Sequence, residues 1–191
     1  MNDIIDADLA AHRDWLADPA TGRRLRLVDA ALAGADLAGA ELAEAELIRV
    51  DLAGADLRGA NLSKAVLTEV DLSVARLDGA MLFEATLSNT RLDGAALVGA
   101  DLVGARLLEC QLVGADLTEA SLIKAELWRC DLRDAILERA DARRVSVLRG
   151  SLSGARVAGA DLSYAVIDDT DLTGVDLATT TRTGAHVDIP S

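Results

Sequence analysis

Aromatic residues are almost missing: one Phe, one Tyr and two Trp make up 2% of the 191 residues. Conventional cores take much of their buried area from aromatic rings. With 51% apolar residues, this core must instead be assembled from leucine and alanine. Cysteine is as scarce. Two thiols do not make a disulfide framework, and the spacing from Cys110 to Cys130 is far from the two to four residues of a zinc pair. His12 and His186 are the only histidines, one in each terminal region. They leave no evident base beside a nucleophile, so neither an enzyme nor a cofactor is expected. Positive charge is short as well. Against 32 Asp and Glu there are 19 Lys and Arg, a net charge of −13 with a pI near 4.5. An unaided nucleic-acid binder would be basic, so no direct nucleic-acid contact is expected and a steered partner should be basic. No apolar run is long enough for a transmembrane helix. The opening MNDIIDADLAAHRDW has no basic stretch leading into an apolar one, so no signal peptide is expected. The expectation is a soluble, cytoplasmic single domain.

What the chain has is a beat of five. In ADLAGAELAEAELIRVDLAGADLRGANL, from Ala35 to Leu62, leucine stands at 37, 42, 47, 52, 57 and 62. Five residues advance an α-helix by about 500°, which walks the leucines around the axis. In a flat strand an odd step alternates faces. The pattern makes sense only if the chain turns a corner once per unit. The central series starts at Leu27 and continues to Val187 without insertion or deletion, giving 33 units from Leu25 to Ile189. Leucine is central in every unit through Leu137; Ala142, Val147, Val157 and Arg182 are among the later exceptions. Two residues before the centre, alanine stands in 22 of the 33 units.

The unit resembles the A(D/N)LXX motif of the pentapeptide-repeat family, over about nine-tenths of the chain. The resemblance implies an all-β, right-handed quadrilateral β-helix of about eight coils, one unit per side and four per coil. The central residue and the residue two before it would face inward. Coils stacked at about 4.8 Å would make a rod roughly 39 Å long. Centres 27, 47, 67 and so on define the first side, those from 32 the second, from 37 the third and from 42 the fourth. Thirteen of fifteen glycines take the last place of a unit, and eleven of these lie on the second and third sides. Glycine suits the positive φ of type II turns, so two sides are expected to turn differently from the other two.

A rod of this kind needs its ends covered. Residues 1–24 read as an N-terminal cap and link: a short amphipathic helix with Trp15 and Leu16 beside Leu9 and His12, stopped by Pro19. Residues 25–189 are the coils, and 190–191 a tail. Arg182 stands where an apolar side chain belongs, so the last coil is expected to be frayed or rearranged. Members of the family often dimerise through the C-terminal end, which makes Leu172, Leu177 and Val187 candidates for a homodimer contact. Cys110 and Cys130 read as stacked apolar filler. The arginines from Arg129 to Arg149 read as a patch of surface ion pairs.

Two outward surfaces are candidates for function. One is acidic: Asp51, Asp71, Asp131 and Asp171 on the second side, Asp36, Asp56, Asp116 and Asp176 on the third. The other is apolar: Phe83, Val103, Leu108, Ile123 and Trp128, with Trp128 as anchor. Some family members are DNA mimics that bind DNA gyrase or a related type II topoisomerase and protect it from drugs or inhibit it. By that resemblance the partner is the basic DNA-binding surface of such an enzyme. The alternative is a structural or regulatory scaffold with an unrelated partner.

Overall fold

A computed structural model describes residues 2–188, with side chains from residue 5 onward; Ile189 and the tail 190–191 lie outside the described residues. Helix α1 (Asn2–Ala17) is followed by β1 (Arg26–Val28), β2 (Glu46–Ile48), β3 (Val66–Thr68), β4 (Thr86–Ser88), β5 (Arg106–Leu108), β6 (Glu126–Trp128), β7 (Ser146–Leu148), β8 (Val166–Asp168) and β9 (His186–Val187). The strands pair in chain order as one parallel sheet. Each register step is twenty residues, as in Leu47↔Leu67 and Leu67↔Leu87. All strands therefore lie on the first side of a right-handed β-solenoid of about eight coils. The other sides meet their neighbours at single bridges, such as Asp51↔Asp71, Asp36↔Asp56 and Glu41↔Asn61.

Backbone bonds between coils set the register. On the third side Arg76 N–H donates to Ala55 O at 2.9 Å, and Leu57 N–H to Arg76 O at 2.7 Å. The same pair of bonds recurs on each side. It places every residue over the one twenty earlier, so leucine stacks on leucine. From Leu47 to Leu122 each central leucine is at most 1% exposed, and the alanines two places before are at 0%. Burying one such leucine contributes about 1.5–3 kcal/mol. Alanine at the second inward place leaves room for it at the corner.

The turns divide three against one, not two against two. From Asp29 to Gly174 the last residue of every unit has positive φ, whichever side it is on. On the second, third and fourth sides a bond closes the turn across three residues, as in Ala35 N–H to Leu32 O, Ala40 N–H to Leu37 O and Ala45 N–H to Leu42 O, each 3.0 Å. With Gly34 at φ 66° in the third place, this is a type II turn. The first side is extended instead. Its left-handed residues are Asp29, Arg49, Glu69, Asn89, Glu109, Arg129, Arg149 and Asp169, at φ 48–58°. From Asp29 to Arg149 their N–H groups bond to the next coil, as Asp29 does to Ile48 O at 3.0 Å. The glycines misled because the left-handed place tolerates other residues when they are exposed. Val74 is the most strained of these. It is β-branched, at φ 51° and 64% exposed.

The two ends differ. At the N-terminal end α1 covers the first coil. Ile5 and Leu9 are its side chains packed against the core, and His12 beneath it is fully buried. Trp15, placed in the cap by its sequence, is half-buried with its ring stacked on His12 at 5.7 Å; Leu16 is half-buried too. Gly22 lets the link pass the helix closely, since a Cβ there would lie 2.2 Å from Ala11 O and from Trp15 N.

At the other end the last coil opens on its third side. Among the described residues Asp176 makes no bridge to Arg156, and Gly159 N–H bonds to Thr179 Oγ1 at 3.3 Å instead. The coil resumes at Thr181, and Arg182 is exposed rather than inward. The core also thins here. Where Ala142, Val147 and Val157 replace leucine, an apolar void of about 30 Å³ runs among Leu122, Ala142, Leu162 and their neighbours.

Two substitutions test this description by urea denaturation. Val74→Gly removes a left-handed β-branched residue and should stabilise by about 1 kcal/mol. Ala142→Val adds two methyl groups beside the void and should stabilise by roughly 1 kcal/mol. A loss of stability in the first would mean that Val74 is not strained, and in the second that the void is too narrow.

Candidate functional site

The acidic rows are built by turn chemistry. The residue before each centre carries the inter-coil bridge, so its side chain points outward. Its carboxylate then accepts the backbone N–H two residues on: Ala38 to Asp36 at 3.2 Å, Ala53 to Asp51 at 3.0 Å, Ser73 to Asp71 at 2.9 Å, Thr118 to Asp116 at 2.9 Å. Asp56, Asp131, Asp171 and Asp176 do the same. This is the Asx turn, which asks for a short side-chain oxygen and no charge. Asn61 and Ser151 fill the same role at 3.1 and 3.2 Å. The charge on the aspartates is therefore surplus to the turn.

Stacking brings that charge into conflict with itself. Asp36 lies over Asp56, Asp51 over Asp71 and Asp141 over Asp161, and like charges directly opposite repel. One member of each pair has an arginine: Asp56 has Arg58 and Arg76, Asp71 has Arg91, and Asp141 has Arg143. The bond from Arg58 holds the Asp56 carboxyl down to about 2. Asp131 is likewise paired, with Arg133, and that bond lowers its pKa. Among the described residues Asp36, Asp51, Asp116, Asp171 and Asp176 have no basic partner within ion-pair distance, nor have Asp78 and Asp134 on the same two sides. Asp78 and Asp134 escaped sequence reasoning because they stand after the centre, where residue type varies freely. Together these seven carboxylates run along the second and third sides.

The other predicted groups sit as follows. Phe83, Val103, Leu108, Ile123 and Trp128 are each half-buried. They form two ladders on adjacent sides: Leu108, Trp128 and Leu148 stack in register on the first, Phe83, Val103 and Ile123 on the fourth. The corner between carries Glu84, Lys124 and the Arg106–Glu126 ion pair, so the structure does not join the ladders into one apolar face. Arg129 covers the Trp128 ring at 4.3 Å from its centroid. Leu172, Leu177 and Val187 are partly buried against the last coils. Arg129, Arg133, Arg139, Arg143 and Arg149 each pair with an acid, and exposed pairs of this kind are screened by water and individually weak.

Cys110 and Cys130 are buried, their Sγ atoms donating to Leu87 O at 3.4 Å and Leu107 O at 3.3 Å. The hydrogen bond with Cys110, and burial after it, push the Cys130 thiol up. Among the described residues no group of three His, Cys, Asp or Glu could hold a metal ion, and no helix is long and apolar enough to cross a membrane.

The family model "Pentapeptide repeats (8 copies)" matches residues 26–63, 45–82, 71–110, 80–118, 110–146 and 149–177. No curated protein matches the chain. Among solved structures it is 31% identical to HetL, a pentapeptide repeat protein involved in heterocyst differentiation regulation from the cyanobacterium Nostoc sp. strain PCC 7120, covering 90% of both chains with a TM-score of 0.43. QnrB1, a plasmid-mediated fluoroquinolone resistance protein, is 20% identical over 86% of this chain and 90% of its own, with a TM-score of 0.51. Rfr23 from the cyanobacterium Cyanothece 51142 is 28% identical over 49% of this chain and 60% of its own, with a TM-score of 0.41. The family model spans most of the coils, so the chain belongs to the pentapeptide-repeat family.

Proposed function

We propose that the chain is a cytoplasmic, protein-binding rod whose second and third sides dock on the basic DNA-binding surface of a type II topoisomerase such as DNA gyrase, taking the place of DNA. The observation that carries this reading is the run of carboxylates without counter-ions along those two sides. Magnitude matters here. A net −13 spread over roughly 39 Å is about one charge per 3 Å, against one per ~1.7 Å for duplex DNA. The rod has about half the line charge of the polymer it would replace. That is enough to steer a basic partner, and it makes the contact salt-dependent.

Asn can keep the Asx turn without the charge, so the face can be tested without disturbing the fold. Changing Asp36, Asp51, Asp116, Asp171 and Asp176 to Asn takes the net charge from −13 to about −8. We expect the wild type to inhibit gyrase supercoiling, or to protect it from a quinolone, at micromolar protein. The five-fold variant should bind at least about tenfold more weakly, with a shallower salt dependence. Absence of any effect of the wild type on supercoiling would falsify the topoisomerase reading.

The second reading is a regulatory scaffold with an unrelated partner. HetL favours it, being the regulatory protein to which the chain is 31% identical. Its partner would be retained on the rod with gyrase absent from the bound fraction.

The rod is also proposed to work as a homodimer joined at the C-terminal end, where the last coil has no helix over its leucines among the described residues. Light scattering should give twice the 19.9 kDa chain mass. A chain cut after Asp171 should be a monomer. A dimer that survives the cut and dissociates with Trp128→Ala would move the contact to the side.

A further inference from the structure

The joint between α1 and the rod holds one buried titratable side chain, His12, which is 0% exposed. Leu25 N–H donates to its Nδ1 at 3.0 Å. That nitrogen accepts, so it carries no proton, and the neutral ring's proton is on Nε2. Nε2–H in turn donates to Ala43 O at 2.9 Å. Leu25 opens the first coil and Ala43 lies in its last unit. One ring on the helix therefore ties both the start and the finish of that coil to the cap.

This arrangement holds only for the neutral ring. An imidazolium has two donors and no acceptor, so protonating Nδ1 sets one N–H against another. Burial, which acts against the charged form, lowers the His12 pKa below its ordinary 6.5. Arg24, on the link, acts in the same direction; Glu41 and Glu44, on the first coil, and the bond to Ala43 oppose it. Since the folded value is depressed, the ring's contribution is complete above about 6.5. It is lost as pH falls from there through the folded value.

We propose that His12 is an acid-operated latch: its protonation releases α1 from the end of the rod while the coils stay folded, uncovering the leucines of the first coil. The register of the coils is carried by backbone bonds, which do not titrate.

Trp15, stacked on the ring at 5.7 Å, is the natural reporter. In a Trp128→Phe background it is the one remaining tryptophan. Its emission, far-UV circular dichroism and hydrogen exchange at the Leu25 amide should be followed from pH 8 to pH 4. The expected result is a transition in Trp15 emission below about pH 6.5, at least tenfold faster exchange at Leu25, and an unchanged β signal. His12→Phe should abolish the transition. Gly22→Ala, whose Cβ would strike Ala11 O, should look undocked at every pH. No transition above pH 4 would overturn the proposal. So would one that persists in His12→Phe, pointing to carboxylates such as Asp8 with Arg23, or one that coincides with loss of the β signal. If His12→Phe does not fold, proton NMR of the wild-type histidines decides instead. Titration of the His12 ring in step with Trp15 supports the latch, and titration without change at Trp15 overturns it.

Discussion

The coil-to-coil backbone hydrogen bond is the interaction on which the rest of this structure depends. Three such bonds recur on the second, third and fourth sides, as in Leu37 N–H to Asp56 O, Gly39 N–H to Arg58 O and Asp56 N–H to Ala35 O, and with the ladder on the first side they hold each residue over its counterpart twenty positions away. The core, the charge pattern and the problem of the ends all follow from that registration. Leucine must pack on leucine, so the inward rows tolerate little variation in size. Where Ala142, Val147 and Val157 break the row, the neighbours cannot slide in to fill the gap, because their own backbone is held by the coils above and below. The void among them is the result.

The same registration governs the surface. A carboxylate chosen by one turn is repeated in the next coil at about 4.8 Å, where it repels its copy. Arginines on neighbouring coils, or two residues along the chain, relieve one member of the stacked pairs Asp36–Asp56, Asp51–Asp71 and Asp141–Asp161. The charge that survives is thus a remainder. Among the described residues it includes seven carboxylates on the second and third sides, and Glu41, Glu44, Glu69, Asp101, Asp161, Asp168 and Asp188 on the first and fourth.

Registration cannot protect the ends, because the first and last coils each have one neighbour too few. The two ends meet this differently. At the N-terminal end a helix packs Ile5 and Leu9 on the core and offers His12 to the backbone groups of the first coil. At the C-terminal end the ladder is interrupted at Asp176, and Arg182 turns out to solvent. The cap on the N-terminal end is held through a single ring.

The sequence by itself determined the period, the inward rows, the coil count, the helical cap and the trouble at Arg182. These were legible because a repeat states its periodicity thirty-three times, and because leucine and alanine have one physical use in a unit so small. Only the tertiary structure decided which side is extended, since a left-handed residue is required on all four sides and glycine does not distinguish them. It alone decided which aspartates keep their charge unpaired. Pairing joins residues a coil apart, such as Asp71 and Arg91, and depends on arginine side chains whose direction no period encodes. It also gave His12 its place. A lone histidine on an amphipathic helix carries no mark of the Leu25 amide and Ala43 carbonyl it will meet, because those partners stand thirteen and thirty-one residues away and come together only when the first coil closes.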